Sequence, residues 1–211
     1  MPKLGMQEIR REQLIDATIG TIERYGFAET TIARISQAAG LSSGIISHYF
    51  GGKNALLEAT MRSLLRELRA ATVSRLRRCR RPEERIAAIV AANFAPEQFT
   101  ARVCAAWLAF YAQVPWSPEL ARLHRVYVRR LRSNLLHAYR QCIDDDAAAH
   151  AAEGMSALID GIYVRAALLG DPLEMQRSHA LAHDYMTMTL GHAPGAVDDM
   201  AAPVVETRSR R

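Results

Sequence analysis

The sequence predicts an all-α protein with about nine helices, in which an N-terminal three-helix helix-turn-helix domain precedes a larger C-terminal helical domain. Apolar residues recur at helical spacing along most of the chain, and no segment shows a convincing strand-like alternation. Glycine, proline, serine and threonine stand at the predicted helix ends. With 211 residues, of which 49% are hydrophobic, the chain can form one large or two small domains with a buried core.

The first helix is predicted over residues 8–25. Leu14, Thr18 and Ile22 fall on one stripe, which gives this helix an apolar face. Gly26 then ends the helix, because glycine readily adopts the left-handed conformation that is common just after a helix.

The segment 30–53, TTIARISQAAGLSSGIISHYFGGK, reads as two short helices around a tight turn. Thr30 or Thr31 can cap the first of them, and Gly40 can supply the left-handed residue that ends it. One of the two serines that follow can cap the second helix. A polar, largely uncharged outer face on that second helix suits the major groove of DNA, and the alternative is an ordinary helical hairpin.

The outward face of the second short helix sets its chemistry. Ile46 and Tyr49 point back toward the preceding helix, and the face that is left carries Ser43, Gly44, Ile45, Ser47 and His48. No Arg, Lys, Asn or Gln stands there, so bidentate hydrogen bonds to guanine or adenine are excluded for this helix. The serines can bond a base edge or a phosphate, the isoleucine can touch a thymine methyl, and the glycine lets the backbone approach closely.

Phosphate contacts should supply most of the affinity for DNA. We expect them from His48 and Tyr49, and from Thr31 and Lys53 at the N-termini of two helices. The full set of candidate DNA-binding residues is Thr31, Ser42, Ser43, Gly44, Ile45, Ser47, His48, Tyr49 and Lys53. Further contacts could come from an N-terminal arm, through Lys3, Arg10 and Arg11. Binding should therefore depend strongly on salt, and specificity on apolar contacts, DNA shape and half-site spacing.

Six further helices are predicted over residues 54–78, 82–94, 100–114, 117–141, 147–169 and 173–190. Pro82 and Pro118 suit the first turn of a helix, and the acidic run 144–146 is more typical of a helix cap than of a metal site. The tail 192–211 contains Pro194, Gly195 and Pro203 and is predicted to be disordered.

The motif GFAETTIARISQAAGLSSGIISHYFGGKNALL resembles the DNA-binding block of the TetR family of bacterial repressors. The resemblance implies a homodimer that binds double-stranded operator DNA through residues 8–68, with an effector-binding and dimerisation domain in residues 69–191. Further blocks, AWLAFYAQ and ALIDGIYVRAALLGDPL, resemble the family members that respond to choline and repress the genes of glycine betaine synthesis, an osmoprotectant pathway. The sequence departs from the family at Gly51 and Gly52, where polar or charged residues are expected to open the fourth helix.

Two glycines in the predicted eighth helix bear on the implied dimer. Gly154 and Gly161 lie seven residues apart and so fall on one face, although each costs about 1 kcal/mol relative to alanine. A face of small residues permits another helix to approach closely. The resemblance implies that the last two helices of each subunit form a four-helix bundle, and the alternative is that the glycines are merely tolerated.

The resemblance also directs attention to the aromatic residues of the C-terminal part. Choline is a quaternary ammonium ion, which proteins hold by cation–π attraction in aromatic cages. We expect an effector cage formed by Trp107, Tyr111, Trp116 and Tyr163, with Asp160 supplying negative charge. The alternative is that these are ordinary core aromatics. Asp160 on a mostly apolar helix needs a partner, and Arg165 is a candidate that would make this acid structural.

The charge pattern alone does not locate the DNA-binding surface. The net charge of +5 and the pI of about 9.4 suit a nucleic-acid partner. However, residues 1–62 contain seven Lys or Arg against six Asp or Glu. The basic excess lies near the end of the fourth helix and in residues 122–132, where we expect solvated helix faces.

Other features limit the location and chemistry of the protein. Three cysteines without CxxC spacing favour a reducing cytosol over a disulfide framework or a zinc site. The charged N-terminus is unlike a signal peptide, and the longest apolar run, residues 103–112, is too short to span a bilayer. We therefore expect a cytoplasmic protein with no cofactor, metal or membrane partner. His179 and His183 have zinc-binding spacing, but they lack the glutamate of the metalloprotease motif and fit a surface pair better.

Three functions remain open from the sequence. They are a choline-responsive repressor, a TetR-like repressor that responds to a different small ligand, and a helical enzyme or chaperone with a fortuitous helix-turn-helix. No Gly-rich phosphate loop, nucleophile elbow or pair of catalytic carboxylates argues for an enzyme. An enzyme or chaperone should show no sequence-specific binding to DNA. The two kinds of repressor differ in whether they bind choline and in whether Trp107→Ala abolishes that binding.

Overall fold

The computed structural model describes residues 3–170 and 174–191, and within these ranges every regular element is a helix. The nine α-helices found there are α1 (Lys3–Tyr25), α2 (Ile32–Ala39), α3 (Gly44–Phe50), α4 (Lys53–Leu76), α5 (Pro82–Asn93), α6 (Ala101–Gln113), α7 (Pro118–Tyr139), α8 (Asp145–Leu169) and α9 (Glu174–Gly191). A short 3-10 turn, Val114–Trp116, follows α6. The all-α prediction is confirmed. The largest difference from the predicted bounds is at α1, which begins at Lys3 instead of residue 8.

The tail 192–211, for which disorder is predicted, lies outside the described residues. Among the helices of the described ranges, none is long and apolar enough to cross a membrane.

Side-chain caps fix the starts of four helices. Each capping oxygen accepts a hydrogen bond from a backbone N–H in the first turn, and the caps are Thr31, Thr100, Ser117 and Asp144. Gly40 ends α2 with φ 65°, as the turn requires. The prediction that a serine side chain caps α3 is wrong, because Ser43 occupies the N-cap position but makes no capping hydrogen bond.

The turn between α3 and α4 explains the two glycines that depart from the family pattern. Gly51 has φ 80° and Gly52 has φ 147°, conformations that other residues rarely adopt. Gly52 is the N-cap of α4 and offers no side-chain oxygen, so the expected weakness of this cap is confirmed. The sharp turn therefore requires the two glycines, and α4 begins without a side-chain cap.

Two groups of buried side chains divide the molecule. The small core lies between α1, α2, α3 and α4 and consists of Leu14, Ala17, Ile35, Ile46 and Leu56. The large core is built by α1 and by α4 to α9. The helices α1 and α4 contribute to both cores. On α1, Leu14 belongs to the small core and Ile22 to the large core, and on α4, Leu56 belongs to the small core and Leu57 to the large core. These two helices therefore join the DNA-binding part to the C-terminal part through continuous helical backbone.

The two glycines of α8 have different environments. A Cβ atom built at Gly154 would overlap the ring of Tyr185 on α9, so this glycine permits close packing within the subunit. At Gly161 a Cβ atom would meet no atom within 4 Å. The sequence predicts one small-residue face that another helix can approach. Gly154 already packs against α9 of the same subunit, whereas the position of Gly161 is open, and the use of this face in a dimer stays a prediction.

Candidate functional site

The helix α3 presents a mostly exposed outer face. Ile46 is fully buried beneath it, which fixes the rotation of the helix about its own axis. The exposed residues of α3 and of the turn before it are Ser42, Ser43, Gly44, Ser47 and His48. Ile45 and Tyr49 are half-buried and pack against the small core. Ile45, which the sequence places on the outer face, therefore leaves only part of its side chain free for a contact with DNA.

Arg11 holds the C-terminal end of α3 against α1. Its Nη1 donates a hydrogen bond of 2.6 Å to the backbone carbonyl of Tyr49, and its guanidinium lies 4.4 Å from the ring centroid of Phe50. These contacts differ from the expected role in an N-terminal DNA-binding arm. Arg11 instead ties the last turn of α3 to α1, a role that no local sequence pattern indicates.

Two further candidates for phosphate contact lie at helix N-termini beside α3. Thr31 is exposed, and its hydroxyl accepts a hydrogen bond of 3.2 Å from the backbone N–H of Arg34. Lys53 is the first residue of α4, and its Nζ lies 4.9 Å from the ring centroid of Phe27. This cation–π contact orients the lysine near the start of α4, where the helix dipole also favours an anion.

A second candidate site is a group of aromatic rings between α6, α7 and α8. The aromatic cluster comprises Trp107, Tyr111, His124, Tyr127 and Tyr163, together with the carboxylate of Asp160. Trp107 is only 2% exposed, and its ring centroid lies 5.0 Å from that of Tyr127 and 5.6 Å from that of Tyr111. Trp107 is therefore buried and in close contact with the surrounding rings.

The carboxylate of Asp160 is bound by two tyrosines of the aromatic cluster. Tyr111 and Tyr127 donate hydrogen bonds of 2.9 and 3.1 Å to the same atom, Asp160 Oδ1. Burial raises the pKa of Asp160 above its ordinary value of 3.8, although both hydrogen bonds oppose the shift. Burial and then the charge of Asp160 raise the pKa of each tyrosine well above 10.0, so both hydroxyls keep the proton that they donate.

The structure brings together four of the five predicted effector residues and leaves one apart. Trp116 lies in the 3-10 turn and is 82% exposed, so it forms no wall of the aromatic cluster in the chain as described. Tyr163 contacts Trp107, with ring centroids 5.9 Å apart. The Tyr163 hydroxyl donates to the backbone carbonyls of Asn93 and Gln98, which anchors the connection between α5 and α6.

Sequence reasoning missed two members of the aromatic cluster, His124 and Tyr127. Both belong to α7, which the charge pattern presented as a solvated arginine-rich helix. Tyr127 follows the apolar residues Leu120 and Leu123 on the buried side of that helix, and all three are at most 9% exposed. The helical spacing of these residues could have revealed a polar tyrosine on an apolar stripe.

An ion pair joins the helix of the aromatic cluster to the first helix of the DNA-binding part. Arg102, in the first turn of α6, bonds both the carboxylate and the backbone carbonyl of Asp16 on α1, at 2.8 and 2.9 Å. This pair and the contact of Arg11 with Tyr49 connect α6, α1 and α3 in series.

Among the residues that the structure describes, no group of three or more His, Cys, Asp or Glu could hold a metal ion. His179 and His183 are both exposed on α9, as predicted for a surface pair.

Comparisons with known proteins agree with this arrangement. Residues 14–60 match the family model for bacterial regulatory proteins of the tetR family, and residues 82–191 match the C-terminal model for BetI-type transcriptional repressors. The chain is 49% identical over 191 residues to the HTH-type transcriptional regulator BetI of Burkholderia lata, covering 90% of this chain and 98% of that protein. The BetI regulator of Paraburkholderia xenovorans gives the same identity and coverage.

Solved structures share the fold at lower identity. A transcriptional regulator from Rhodococcus superposes with a TM-score of 0.76 at 20% identity, covering 86% of this chain and 96% of that one. A putative regulator from Saccharomonospora viridis, solved in complex with choline, has a TM-score of 0.71 at 19% identity, covering 83% and 94%. Members of this family are regulators and not enzymes. The chain belongs to the TetR family and is a transcriptional repressor with a C-terminal domain of the BetI type.

Proposed function

We propose that this repressor is a cytoplasmic homodimer that senses choline and controls the genes of glycine betaine synthesis. Residues 8–68 form the DNA-binding domain, and residues 69–191 bind the effector and the partner subunit. The observation that carries the effector assignment is the half-buried carboxylate of Asp160, which accepts hydrogen bonds from two tyrosines whose rings pack against Trp107. A carboxylate together with aromatic faces suits a quaternary ammonium ion, which cannot donate a hydrogen bond from its nitrogen.

The DNA-reading surface is the outer face of α3. Base contacts come from Ser42, Ser43, Gly44, Ile45 and Ser47. Phosphate contacts come from Thr31, His48, Tyr49 and Lys53. Each subunit reads one half of a near-palindromic operator, and the distance between the two α3 helices sets the half-site spacing. Any change in that distance weakens operator binding.

Binding of choline requires the aromatic cluster to open. A cation is attracted to a ring within about 6 Å of its centroid, and it must displace neighbouring groups to reach several faces at once. The rings of Trp107 and Tyr127 are already in contact, with centroids 5.0 Å apart. Entry of the trimethylammonium group therefore separates α6 from α7. Because Arg102 ties α6 to Asp16 on α1, this movement reaches the DNA-binding domain.

The difference in exposure between the two tryptophans makes the proposal directly testable. Trp107 is buried in the aromatic cluster, and Trp116 is 82% exposed. The variant Trp116→Phe leaves Trp107 as the sole tryptophan. Its fluorescence is titrated with choline chloride, with sodium chloride and glycine betaine as controls. We expect a saturable change that is selective for choline.

The second candidate is a repressor of the same family that responds to another ligand. The Saccharomonospora viridis regulator, which shares the fold at 19% identity, was solved in complex with choline. Choline is therefore the first ligand to test. A flat titration of Trp116→Phe, combined with an intact shift of operator DNA, would reject choline and retain the repressor. Loss of the operator shift as well would point to a misfolded protein, which circular dichroism would detect.

A further inference from the structure

The arginines of α7 carry positive charge that neither operator reading by α3 nor the aromatic cluster uses. Residues 120–143 contain six arginines and no Asp or Glu. By contrast, residues 1–62, which include α3, contain seven Lys or Arg against six Asp or Glu. Most of the net charge of +5 therefore lies outside the part of the repressor that reads the operator.

Three of these arginines, Arg122, Arg125 and Arg129, are exposed and lie on one side of α7. Their spacing of i, i+3 and i+7 returns to the same side of a helix at each step. The opposite side of α7 carries buried residues such as Leu131 and Leu135 and packs into the large core. We name the exposed surface formed by the three arginines the basic face.

The protein itself leaves the charge of the basic face without a bonded partner. In the part of the chain that the structure describes, no ion pair or side-chain hydrogen bond reaches these three guanidinium groups. Glu153 of α8 lies beside the basic face, but its carboxylate is paired with Arg132 at 2.8 Å. Glu119 precedes the basic face on α7 and accepts a hydrogen bond from the hydroxyl of Ser117. Arginines three and four residues apart on a helix repel one another, so a bound anion would stabilise α7.

The chemistry of the basic face suits an array of phosphates better than a membrane surface. Arginine presents a planar set of donors that matches phosphate oxygens, and the exposed hydroxyl of Ser133 adds a neutral donor. Among the residues of α7, all of which the structure describes, Val126 is the only large apolar side chain that is exposed. Binding to a lipid interface requires a broad apolar face in addition to positive charge. The basic face lacks the first of these two features.

We propose that the basic face is a second binding surface for double-stranded DNA, one that contacts phosphates without regard to sequence. Duplex DNA carries about one negative charge per 1.7 Å of its axis, so a row of arginines along a helix can meet several phosphates at once. The small core beneath α3 contains none of the described residues of α7, which belongs to the large core. The two DNA-binding surfaces are therefore separate, and the repressor binds a second segment of duplex while α3 occupies the operator.

The test measures whether the operator-bound repressor captures a second duplex. A short operator duplex is fixed to a surface and saturated with the full chain, and a labelled duplex without operator sequence is then added at low salt. The decisive variant replaces all three arginines of the basic face with alanine. Its matched control is Arg77→Ala with Arg78→Ala and Arg80→Ala, which removes equal charge from exposed residues that follow α4.

We expect wild type and the control to capture the second duplex, and the basic-face variant to capture it at least about ten-fold more weakly. The slope of log affinity against log salt concentration should fall by about 0.9 for each phosphate contact that is lost. Replacement of the same three arginines with lysine keeps the charge and should preserve capture. Normal binding of each variant to the short operator duplex shows that the variant is folded and that α3 is intact.

Four results would overturn the proposal. They are no capture by wild type, equal capture by wild type and the basic-face variant, an equal loss in the control, and loss of capture in the lysine variant. Binding of the basic face to phosphatidylserine vesicles without capture of DNA would also overturn it and would assign the face to a lipid surface. Because no effector is added, these outcomes do not depend on the choline proposal.

Discussion

The DNA-reading end and the aromatic cluster are built in opposite ways. The DNA-reading end comes from one continuous stretch, residues 31–53, laid over a small core with its polar residues exposed. The aromatic cluster comes from three helices and is largely turned inward, so that Trp107 is 2% exposed. The first region is thus defined by local spacing. The second is defined by the register between helices that are distant in sequence.

The largest expected effect separates the two regions. Ile46 is 0% exposed in the small core, and Ile46→Ala removes buried methyl groups at a cost of about 2–5 kcal/mol. Because both tryptophans lie in the C-terminal part, tryptophan fluorescence follows that part while an operator shift follows α3. We expect Ile46→Ala to lose operator binding and to keep the choline titration.

The control for this change is Ile45→Ala, on the same helix but only half-buried, which should cost less stability. Loss of choline binding in parallel with operator binding in Ile46→Ala would contradict the independence of the two regions.

The second prediction removes the charge of the effector site and keeps its shape. Asp160→Asn retains an oxygen that can accept from Tyr111 and Tyr127 but carries no negative charge. We expect choline affinity to fall about thirty-fold, or about 2 kcal/mol, as for a lost interaction with a charged group. The measurement is the Trp107 fluorescence titration. The matched control is Glu153→Gln, an exposed acid on the same helix, which should bind choline normally.

An unchanged choline affinity in Asp160→Asn would show that the aromatic rings alone bind the cation. It would also leave the hydrogen bonds from the two tyrosines as the sole role of the carboxylate.

The contrast between the regions explains what the sequence could predict. Thr31, Gly40 and Ile46 act through neighbours within a few residues, so their cap, turn and burial follow from spacing. The prediction that Trp116 forms a wall of the cage was wrong, because its position nine residues after Trp107 does not give the direction of the chain beyond the end of α6. His124 and Tyr127 were missed because their role depends on the packing of α7 against α6 and α8, which no local pattern contains.

The third prediction concerns pH and follows from the raised pKa of Asp160. Choline favours the ionised carboxylate, so its affinity should fall as pH decreases through the pKa of Asp160, by up to about ten-fold per pH unit. Because burial raises this pKa, the fall begins at a higher pH than for an exposed aspartate. The folded state also holds the proton more tightly than the unfolded chain. The contribution of Asp160 to stability is therefore greatest at low pH and is lost as pH rises through its folded pKa.

Choline titrations of wild type and Asp160→Asn across this pH range provide the measurement. The choline affinity of Asp160→Asn should not change with pH. A parallel fall in both proteins would show that a group other than Asp160 causes the pH dependence.

The smallest expected effect tests the connection between the two regions. The Arg102–Asp16 ion pair is partly exposed, at 37% and 73%, so its loss should cost only about 0.2–1 kcal/mol of stability. Its effect on the response to choline should be larger, because Arg102 stands at the start of α6, the helix that choline displaces in the proposed mechanism. In Arg102→Ala we expect choline to bind with normal affinity but to change operator affinity less than in wild type. A double-mutant cycle with Asp16→Ala isolates the pair, since removing the second partner should then have little further effect. If Arg102→Ala and wild type show equal coupling, the signal passes instead through α4, the other helix shared by both cores.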